Sequence, residues 1–143
     1  MSISINDLPP EYQKQALAVL LQNKSSEQKE KRNKHGNVET QSGGVKFPSK
    51  KEARRYEELC LLQQMGKIKE LKLQETFTLQ NAYTTPQGER VRAITYKADF
   101  TYINMEGRKI VEDAKSPHTR TLPTYRIKKK LMLERLGINI VEV

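Results

Sequence analysis

Three residues in the second half of the chain have the types and spacing that metal-assisted chemistry requires. Asp113 and Lys115 stand two positions apart, and Asp99 precedes them. Carboxylate oxygens are preferred ligands of Mg²⁺, which keeps its remaining positions for water and phosphate. Such an ion lowers the pKa of a bound water and neutralises charge that develops on a phosphate. The three residues together therefore predict phosphodiester hydrolysis.

The role of Lys115 in that chemistry stays open at this point. Its ammonium could orient the attacking water, deprotonate it, or hold the phosphate, because lysine is a compact charge whose pKa shifts readily. Each acid also has a structural interpretation. Asp99 could be a polar residue on an exposed sheet face, and Asp113 could form an edge-strand ion pair with Lys115 that contributes little stability. The joint arrangement favours the chemical interpretation.

Strands must position these side chains. Residues 71–79, 94–102 and 109–115 are predicted strands, and the second alternates strictly between apolar and polar residues. Because alternate residues of a strand share a face, Asp113 and Lys115 are expected on one face and Glu112 on the other. Asp99 is expected on the face opposite Tyr96. If the second and third strands pair as a hairpin, Asp99 joins Asp113 and Lys115.

Two helices complete the predicted domain. The first opens with Ser49 and Glu52 as a capping box and closes at Gly66. A polar loop at residues 116–121 leads to the second helix, residues 122–136, which ends at Gly137 before a last strand at residues 138–143. That strand should lie parallel to its neighbour by a right-handed crossover, and the first three should be antiparallel. The predicted fold class is α/β with a mixed sheet.

The chain divides into three predicted zones. Residues 1–23 form an N-terminal helix that starts near Leu8, with Asp7 as a possible N-cap, and that packs on the main domain, a second protomer or another protein. Residues 24–46 are rich in charged and polar residues, which predicts a flexible basic linker or a DNA-contacting arm. Residues 47–143 form the folded domain.

The charge balance points to a polyanionic partner. The chain has 26 Lys and Arg against 17 Asp and Glu, a net charge of +9. Such an excess favours nucleic acid or an acidic membrane surface as the partner. Binding to a membrane surface would require a basic amphipathic helix with a bulky apolar face, so nucleic acid is the better choice. An ordinary solvated helix face is the alternative for the basic residues near the trio. The residues predicted to contact DNA are Lys51, Arg120, Tyr125, Arg126, Lys128 and Lys129.

Other classes of protein are excluded or disfavoured. Cys60 is the single cysteine, which excludes an intramolecular disulfide and a cysteine-based zinc site, and its apolar neighbours predict a small buried hydrophobe. His118 is a loop residue rather than a general base. The sequence has no run of about 20 apolar residues. It also has no secretory signal pattern, so we expect a cytoplasmic protein.

The motif itself resembles that of a known superfamily. Asp99, followed by Asp113-Ala114-Lys115, resembles the D…(D/E)-x-K signature of the PD-(D/E)XK nucleases, with Ala98 in place of the leading proline. The resemblance covers residues 47–143. More narrowly, the chain is similar to a family of small phage and prophage proteins that is itself similar to Holliday-junction resolvases. Three segments are similar to that family: Phe47-Pro48-Ser49-Lys50-Lys51-Glu52-Ala53, Ile94-Thr95-Tyr96-Lys97-Ala98-Asp99-Phe100 and Val111-Glu112-Asp113-Ala114-Lys115.

This resemblance implies a restriction-endonuclease-like αβββαβ core and a DNA endonuclease dependent on Mg²⁺ or Mn²⁺. It implies that Glu52, Asp99 and Asp113 hold the metal and that Lys115 acts with them, although Glu52 could also be only a helix cap. It further implies a branched or duplex DNA substrate, a homodimer and a phage or prophage gene in a bacterial host. Two alternatives stay open: a nicking or terminase-associated nuclease, and a non-catalytic DNA-binding or adaptor protein on the same fold.

Overall fold

The structure is a computed structural model that describes residues 3–23 and 40–143. Within these residues the chain forms two compact units. Unit 1 contains Lys72–Tyr102 and Arg108–Val143, and unit 2 contains residues 3–23, 40–71 and Ile103–Gly107. Both units combine helices and strands, so the predicted α/β class is confirmed at this level. No helix in the described residues is long and apolar enough to cross a membrane.

Unit 2 begins with a 3-10 turn, Ile5–Asp7, that leads into helix α1, Pro10–Asn23. Ser4 caps the turn through the backbone N–H of Asn6, and Asp7 accepts a hydrogen bond from the Ser4 backbone. The predicted helix is therefore present, but Asp7 acts in the preceding turn. Helix α1 packs on helix α2, Lys50–Gln64, through the buried residues Ile5, Ala16 and Leu61. Ala16 of α1 is thus buried within the unit, whereas Leu17 and Leu21 remain exposed.

A short hairpin lies in the segment assigned to the flexible linker. Strands β1, Thr40–Ser42, and β2, Val45–Phe47, pair in antiparallel register. Gly43 and Gly44 join them with positive φ angles of 55° and 80°, as a type I′ hairpin turn requires at both central positions. The linker prediction is therefore wrong for residues 40–46, and residues 24–39 lie outside the described residues. The predicted division between linker and nuclease domain stays a prediction.

Helix α2 follows the hairpin and packs against it. The Ser49 side chain accepts a hydrogen bond from the Glu52 backbone N–H, which confirms the predicted N-cap. The ring of Phe47 lies 5.0 Å from that of Tyr56, and Ser42 donates a hydrogen bond of 2.7 Å to Glu57. Gly66 has a positive φ of 69° just past the helix end, close to where the sequence predicted the helix to close.

Eight further strands and two helices follow α2. Their bounds are β3 Lys69–Leu73, β4 Thr76–Gln80, β5 Tyr83–Thr84, β6 Arg90–Val91, β7 Ile94–Lys97, β8 Phe100–Ile103, β9 Lys109–Asp113, α3 Pro117–Thr121, α4 Pro123–Leu136 and β10 Ile140–Glu142. The largest sheet has the strand order β10-β9-β8-β3. Smaller pairs are β4 with β7 and β5 with β6, both antiparallel. Strand β10 is parallel to β9, as predicted.

Helix α4 covers the core of unit 1. Gly137 ends it with a φ of 66°, at the predicted position, and its backbone N–H donates to the carbonyl of Leu133. Met132, fully buried on the inner side of α4, packs with apolar residues of β4, β7, β9 and β10. The buried members of this cluster are Leu79, Tyr96, Ala98, Val111, Tyr125, Met132 and Ile140.

Three predicted elements differ from the structure. The first and second predicted strands are each split in two, at Gln74 and at Ala98–Asp99, because the chain leaves one strand pair and enters another sheet there. Gln74 has a positive φ of 53°, which interrupts an extended strand. The polar loop predicted at residues 116–121 contains helix α3. Ser116 caps it by accepting a hydrogen bond from the Thr119 backbone, and Pro117 is in its first turn.

Candidate metal centre

Asp113 lies at the end of an interior strand. Strand β9 runs between β10 and β8, and the Asp113 side chain is 0% exposed. In the register with β10, Val111 faces Ile140 and Asp113 faces Glu142. Because Val111 and Ile140 belong to the core under α4, strand alternation puts Asp113 and Glu142 on that same face. The ion pair of Asp113 with Lys115 is present, but it is not on an edge strand, as the structural interpretation assumed.

Two groups contact the Asp113 carboxylate directly. The Tyr96 hydroxyl donates a hydrogen bond to Oδ2, and the Lys115 ammonium lies 2.9 Å from Oδ1. Burial raises the pKa of Tyr96, and the hydrogen bond to Asp113 raises it further, so the phenol keeps its proton and acts as a donor. The Asp113 side chain is therefore fixed in orientation from both ends of its carboxylate.

Asp99 reaches the same place from the preceding strand. Its Oδ2 accepts a hydrogen bond of 2.8 Å from the backbone N–H of Ala114, the residue between Asp113 and Lys115. The backbone makes a tight turn here, in which the Lys115 N–H donates a hydrogen bond of 3.1 Å to the Asp113 carbonyl. The structure thus brings Asp99, Asp113 and Lys115 together around the end of β9.

The interruption between β7 and β8 explains how Tyr96 and Asp99 both reach this point. In an unbroken strand these two residues, three positions apart, would project from opposite faces. The predicted strand was unbroken, so Tyr96 was expected away from the acids. Because the strand breaks at Ala98 and Asp99, the side chains of Tyr96 and Asp99 both engage residues 113–114.

Glu112 belongs to the other face of β9. It is 0% exposed and accepts a hydrogen bond of 2.5 Å from the hydroxyl of Tyr102. Strand alternation therefore separates it from Asp113, as the sequence predicted. A buried carboxylate requires such a partner, because an unpaired one would lose its hydration without compensation. Glu112 is a structural acid.

The oxygens of Asp99 and Asp113 suit a hard divalent cation. Asp113 Oδ1 is buried and accepts no hydrogen bond in the described part of the chain, and Lys115 lies at ion-pair distance from it without hydrogen-bonding geometry. An oriented carboxylate oxygen of this kind fits Mg²⁺. Among residues 3–23 and 40–143, no group of three or more His, Cys, Asp or Glu is arranged to hold a metal. Water and phosphate would have to supply the other ligands.

The residues predicted to contact DNA do not share one environment. Arg120, Tyr125 and Lys129 all direct polar groups at Glu142, whereas Arg126 is exposed and Lys128 is half-buried. Tyr125 is itself part of the core, and only its hydroxyl reaches Glu142. Burial raises the pKa of Tyr125, and the hydrogen bond to Glu142 adds to that increase.

The two remaining predicted site residues lie in unit 2. Lys51 is exposed in the first turn of α2, and Glu52 is half-buried beside it. The Ser49 hydroxyl lies 3.3 Å from Glu52 Oε1, which fits the capping interpretation. The catalytic interpretation of Glu52 stays a prediction. Cys60 is half-buried rather than fully buried, and burial raises the pKa of its thiol, so an unreactive side chain remains the better interpretation.

Sequence reasoning missed two residues of this region. Tyr96 was placed on the far face because its strand was taken as continuous, and Glu142 was not considered because its strand was assigned only as an element. Glu142 could have been found from the predicted parallel pairing, which brings an acid near the end of β10 beside one at the end of β9. No local signal identified the break at Ala98.

The comparisons with known proteins identify the family of this chain. The chain is a mixed α/β protein with acids and a lysine gathered at one strand end. Residues 32–139 match the model of the family described as "Protein of unknown function (DUF1064)", and the chain belongs to that family. No curated protein and no solved structure is significantly similar to it.

Proposed function

We propose that this chain is a metal-dependent DNA endonuclease of the PD-(D/E)XK type. The observation that carries the proposal is the meeting of Asp99, Asp113 and Lys115 at the end of β9. The element order supports it, since α2 is followed by strands, then α4, then a strand parallel to β9. That order is compatible with a restriction-endonuclease-like αβββαβ core.

In this proposal Asp99 and Asp113, both in unit 1, hold Mg²⁺ or Mn²⁺. A bound ion of this class lowers the pKa of a water and neutralises charge on the phosphate. Tyr96 holds Asp113 in orientation through its hydroxyl. Lys115 is close enough to Asp113 to orient the water or hold the phosphate.

DNA is the proposed substrate because the chain carries a net charge of +9. Phosphate contacts from Lys and Arg give affinity that does not depend on sequence, so recognition of DNA shape fits better than recognition of bases. A branched or duplex substrate, a homodimer, a cytoplasmic location and a phage or prophage source belong to the same proposal. A non-catalytic DNA-binding or adaptor protein is the competing outcome of the test.

The test is cleavage of end-labelled four-way junction, duplex and single-stranded DNA with Mg²⁺ or with EDTA. We expect metal-dependent cleavage by the wild type and a loss of about 100-fold or more in Asp99→Asn, since this variant keeps an oxygen to accept from Ala114 but weakens metal binding. Asp113→Asn should act alike. Glu89→Gln, in an exposed turn, is the matched control and should cleave normally.

Circular dichroism would verify that each variant is folded, which is a necessary control for the fully buried Asp113. Cleavage that persists in EDTA, or in both aspartate variants, would contradict a metal-dependent site at this place. DNA binding without cleavage of any of the three substrates would instead support the adaptor.

A further inference from the structure

Three polar groups from α3 and α4 converge on the carboxylate of Glu142 in β10. Lys129 Nζ lies 2.7 Å from Oε1, and the Tyr125 hydroxyl donates to the same oxygen at 3.0 Å. Arg120 Nε lies 3.5 Å from Oε2. The geometry is that of a small oxyanion held by an ammonium, a hydroxyl and a guanidinium. The anion in this case is a side chain of the protein itself.

This arrangement is only partly satisfied. Arg120 Nε is buried and makes no hydrogen bond within the described residues, although Glu142 lies at ion-pair distance. The Arg120 guanidinium also donates to the carbonyl of Val143 at 3.4 Å, a long hydrogen bond. As it is placed, the Glu142 carboxylate leaves the Arg120 Nε–H unused. This donor is therefore available to an anion of different shape, such as a tetrahedral phosphodiester with one negative charge and two non-bridging oxygens.

Glu142 responds to these donors as an anion in a basic site does. The hydrogen bond from Lys129 lowers the pKa of Glu142, and the hydrogen bond from Tyr125 and the positive charge of the nearby Arg120 add to the decrease. The side chain of Glu142 is 20% exposed, and those of Lys129 and Arg120 are 35% and 37% exposed. The carboxylate is thus reachable from solvent and lies on a flexible stem. It can leave the three donors without unfolding of the core.

The position of Glu142 connects this cluster to the proposed metal centre. Glu142 and Asp113 are partners in the parallel register of β10 and β9, and adjacent strands lie about 4.8 Å apart. The Lys115 ammonium, which pairs with Asp113, lies 5.9 Å from the centre of the Tyr125 ring. An anion that replaced the Glu142 carboxylate would therefore lie on the strand next to Asp113.

We propose that Arg120, Tyr125 and Lys129 form a phosphate site that the Glu142 carboxylate occupies in the free protein. The ligand is a phosphodiester of the DNA backbone, so this inference rests on the proposed function. It adds that the Glu142 carboxylate competes with DNA phosphate for the three donors. Glu142 keeps the donors aligned and lowers the affinity for DNA. A DNA phosphate takes over the donors by displacing the carboxylate.

The test compares Glu142→Gln with Glu134→Gln. The second variant removes the same charge from the exposed outer side of α4, where Glu134 is paired with Arg135. DNA affinity is measured by fluorescence anisotropy with a labelled duplex and a four-way junction in EDTA. Since Glu142 competes for the site, we expect Glu142→Gln to bind about 3- to 10-fold more tightly than Glu134→Gln. Equal affinity of the two variants, or weaker binding by Glu142→Gln, would overturn the inference.

Lys129→Gln provides a second measurement that does not depend on the first. If Lys129 pairs with Glu142 in the free protein and with a phosphate in the DNA complex, this variant binds DNA more weakly than the wild type. The slope of log affinity against log salt then decreases in magnitude by about one. An unchanged slope would overturn the inference, because Lys129 would then hold Glu142 and nothing else. Thermal melting establishes that both variants are folded.

The two proposals fail in different ways. A wild-type protein that neither binds nor cleaves DNA overturns the endonuclease and the phosphate site together. A wild-type protein that cleaves DNA, with Glu142→Gln binding no more tightly than Glu134→Gln, overturns only the phosphate site.

Discussion

Two tyrosine hydroxyls hold two neighbouring acids on opposite faces of β9. Tyr96 donates to Asp113 on the α4 side, and Tyr102 donates to Glu112 on the other side. All four side chains are buried. Because buried carboxylates are costly without a donor, each tyrosine compensates for the lost hydration of one acid. At the scale of residues, the phenols of β7 and β8 make an acidic strand end compatible with a core.

Replacement of Tyr96 by phenylalanine tests this role. Tyr96→Phe keeps the ring but leaves Asp113 Oδ2 without its donor, so we expect a loss of about 1–3 kcal/mol in the free energy of unfolding. Urea denaturation followed by circular dichroism measures it. Tyr83→Phe is the control, since Tyr83 is 53% exposed, and its change should stay within about 0.5 kcal/mol. Equal effects of the two variants would show that the hydroxyl of Tyr96 does not stabilise the fold.

Glu75 gives a pH-dependent prediction. The hydrogen bond from Lys109, 2.7 Å from Glu75, lowers the pKa of Glu75, and that from Thr101 lowers it further. A folded-state pKa below the unfolded value of about 4.3 stabilises the protein above that pH, and the stabilisation is lost as the pH falls. Both partners are partly exposed, so the contribution should be below about 1 kcal/mol.

We therefore expect Glu75→Gln to lower the melting temperature at pH 7 and to have a smaller effect as the pH falls towards 3. Thermal melts across this range measure the difference from the wild type. Glu89→Gln, in an exposed turn, serves as the control. A difference that stays constant with pH would contradict an ionised, paired Glu75.

Gly137 sets the end of α4 at the scale of elements. Its φ of 66° lies in the left-handed region, and a Cβ there would meet no atom within 4 Å. The strain of a side chain would therefore come from the backbone alone. We expect Gly137→Ala to cost about 1 kcal/mol in the free energy of unfolding and Gly137→Asn to cost less, because asparagine tolerates this conformation better. Chemical denaturation of both variants provides the measurement, and an equal cost would contradict the backbone argument.

The elements that the sequence predicted well are those with local signals. Helix α4 was predicted within one residue because Gly137 marks its end in the sequence, and the cap of α2 followed from Ser49 and Glu52. The hairpin turn at Gly43 and Gly44 also had a local signal, a glycine pair that allows two positive φ angles, but the polar surroundings concealed it. The strand breaks could not be predicted, because they depend on which strands pair.

The candidate site was predictable to the same degree. Strand alternation was sufficient to separate Asp113 from Glu112, whereas Lys115 lies beyond the end of β9 and comes beside Asp113 through a turn in which its backbone N–H donates to the Asp113 carbonyl. The contact of Tyr96 required the break in its strand, and the position of Glu142 required the register of β10 with β9. Both depend on tertiary pairing, which a single sequence shows only indirectly. The roles of these residues in catalysis remain predictions.

At the scale of the whole molecule, the net charge of +9 predicts how the chain responds to salt. Cations bound to DNA phosphates are released when Lys and Arg replace them, so affinity decreases as salt increases. For six to ten phosphate contacts, we expect affinity to fall about 10³- to 10⁵-fold between 50 and 200 mM salt. Anisotropy titrations at several salt concentrations measure the slope. An affinity that is insensitive to salt would contradict backbone binding.

The interruption at Ala98 and Asp99 has a consequence for the spacing of the chain. Tyr96 before it and Asp99 within it both reach the end of β9, while Tyr102 beyond it supports the far face. A strand transmits any insertion or deletion as a reversal of every later side chain. At this interruption the alternation of side chains restarts. The number of residues between Lys97 and Phe100 therefore matters more for the positions of Tyr96 and Asp99 than the propensity of these residues for extended structure. Because β8 pairs in a different sheet from β7, removing one residue there would not exchange the faces of β8, but it would shorten the connection that lets both Tyr96 and Asp99 reach the end of β9.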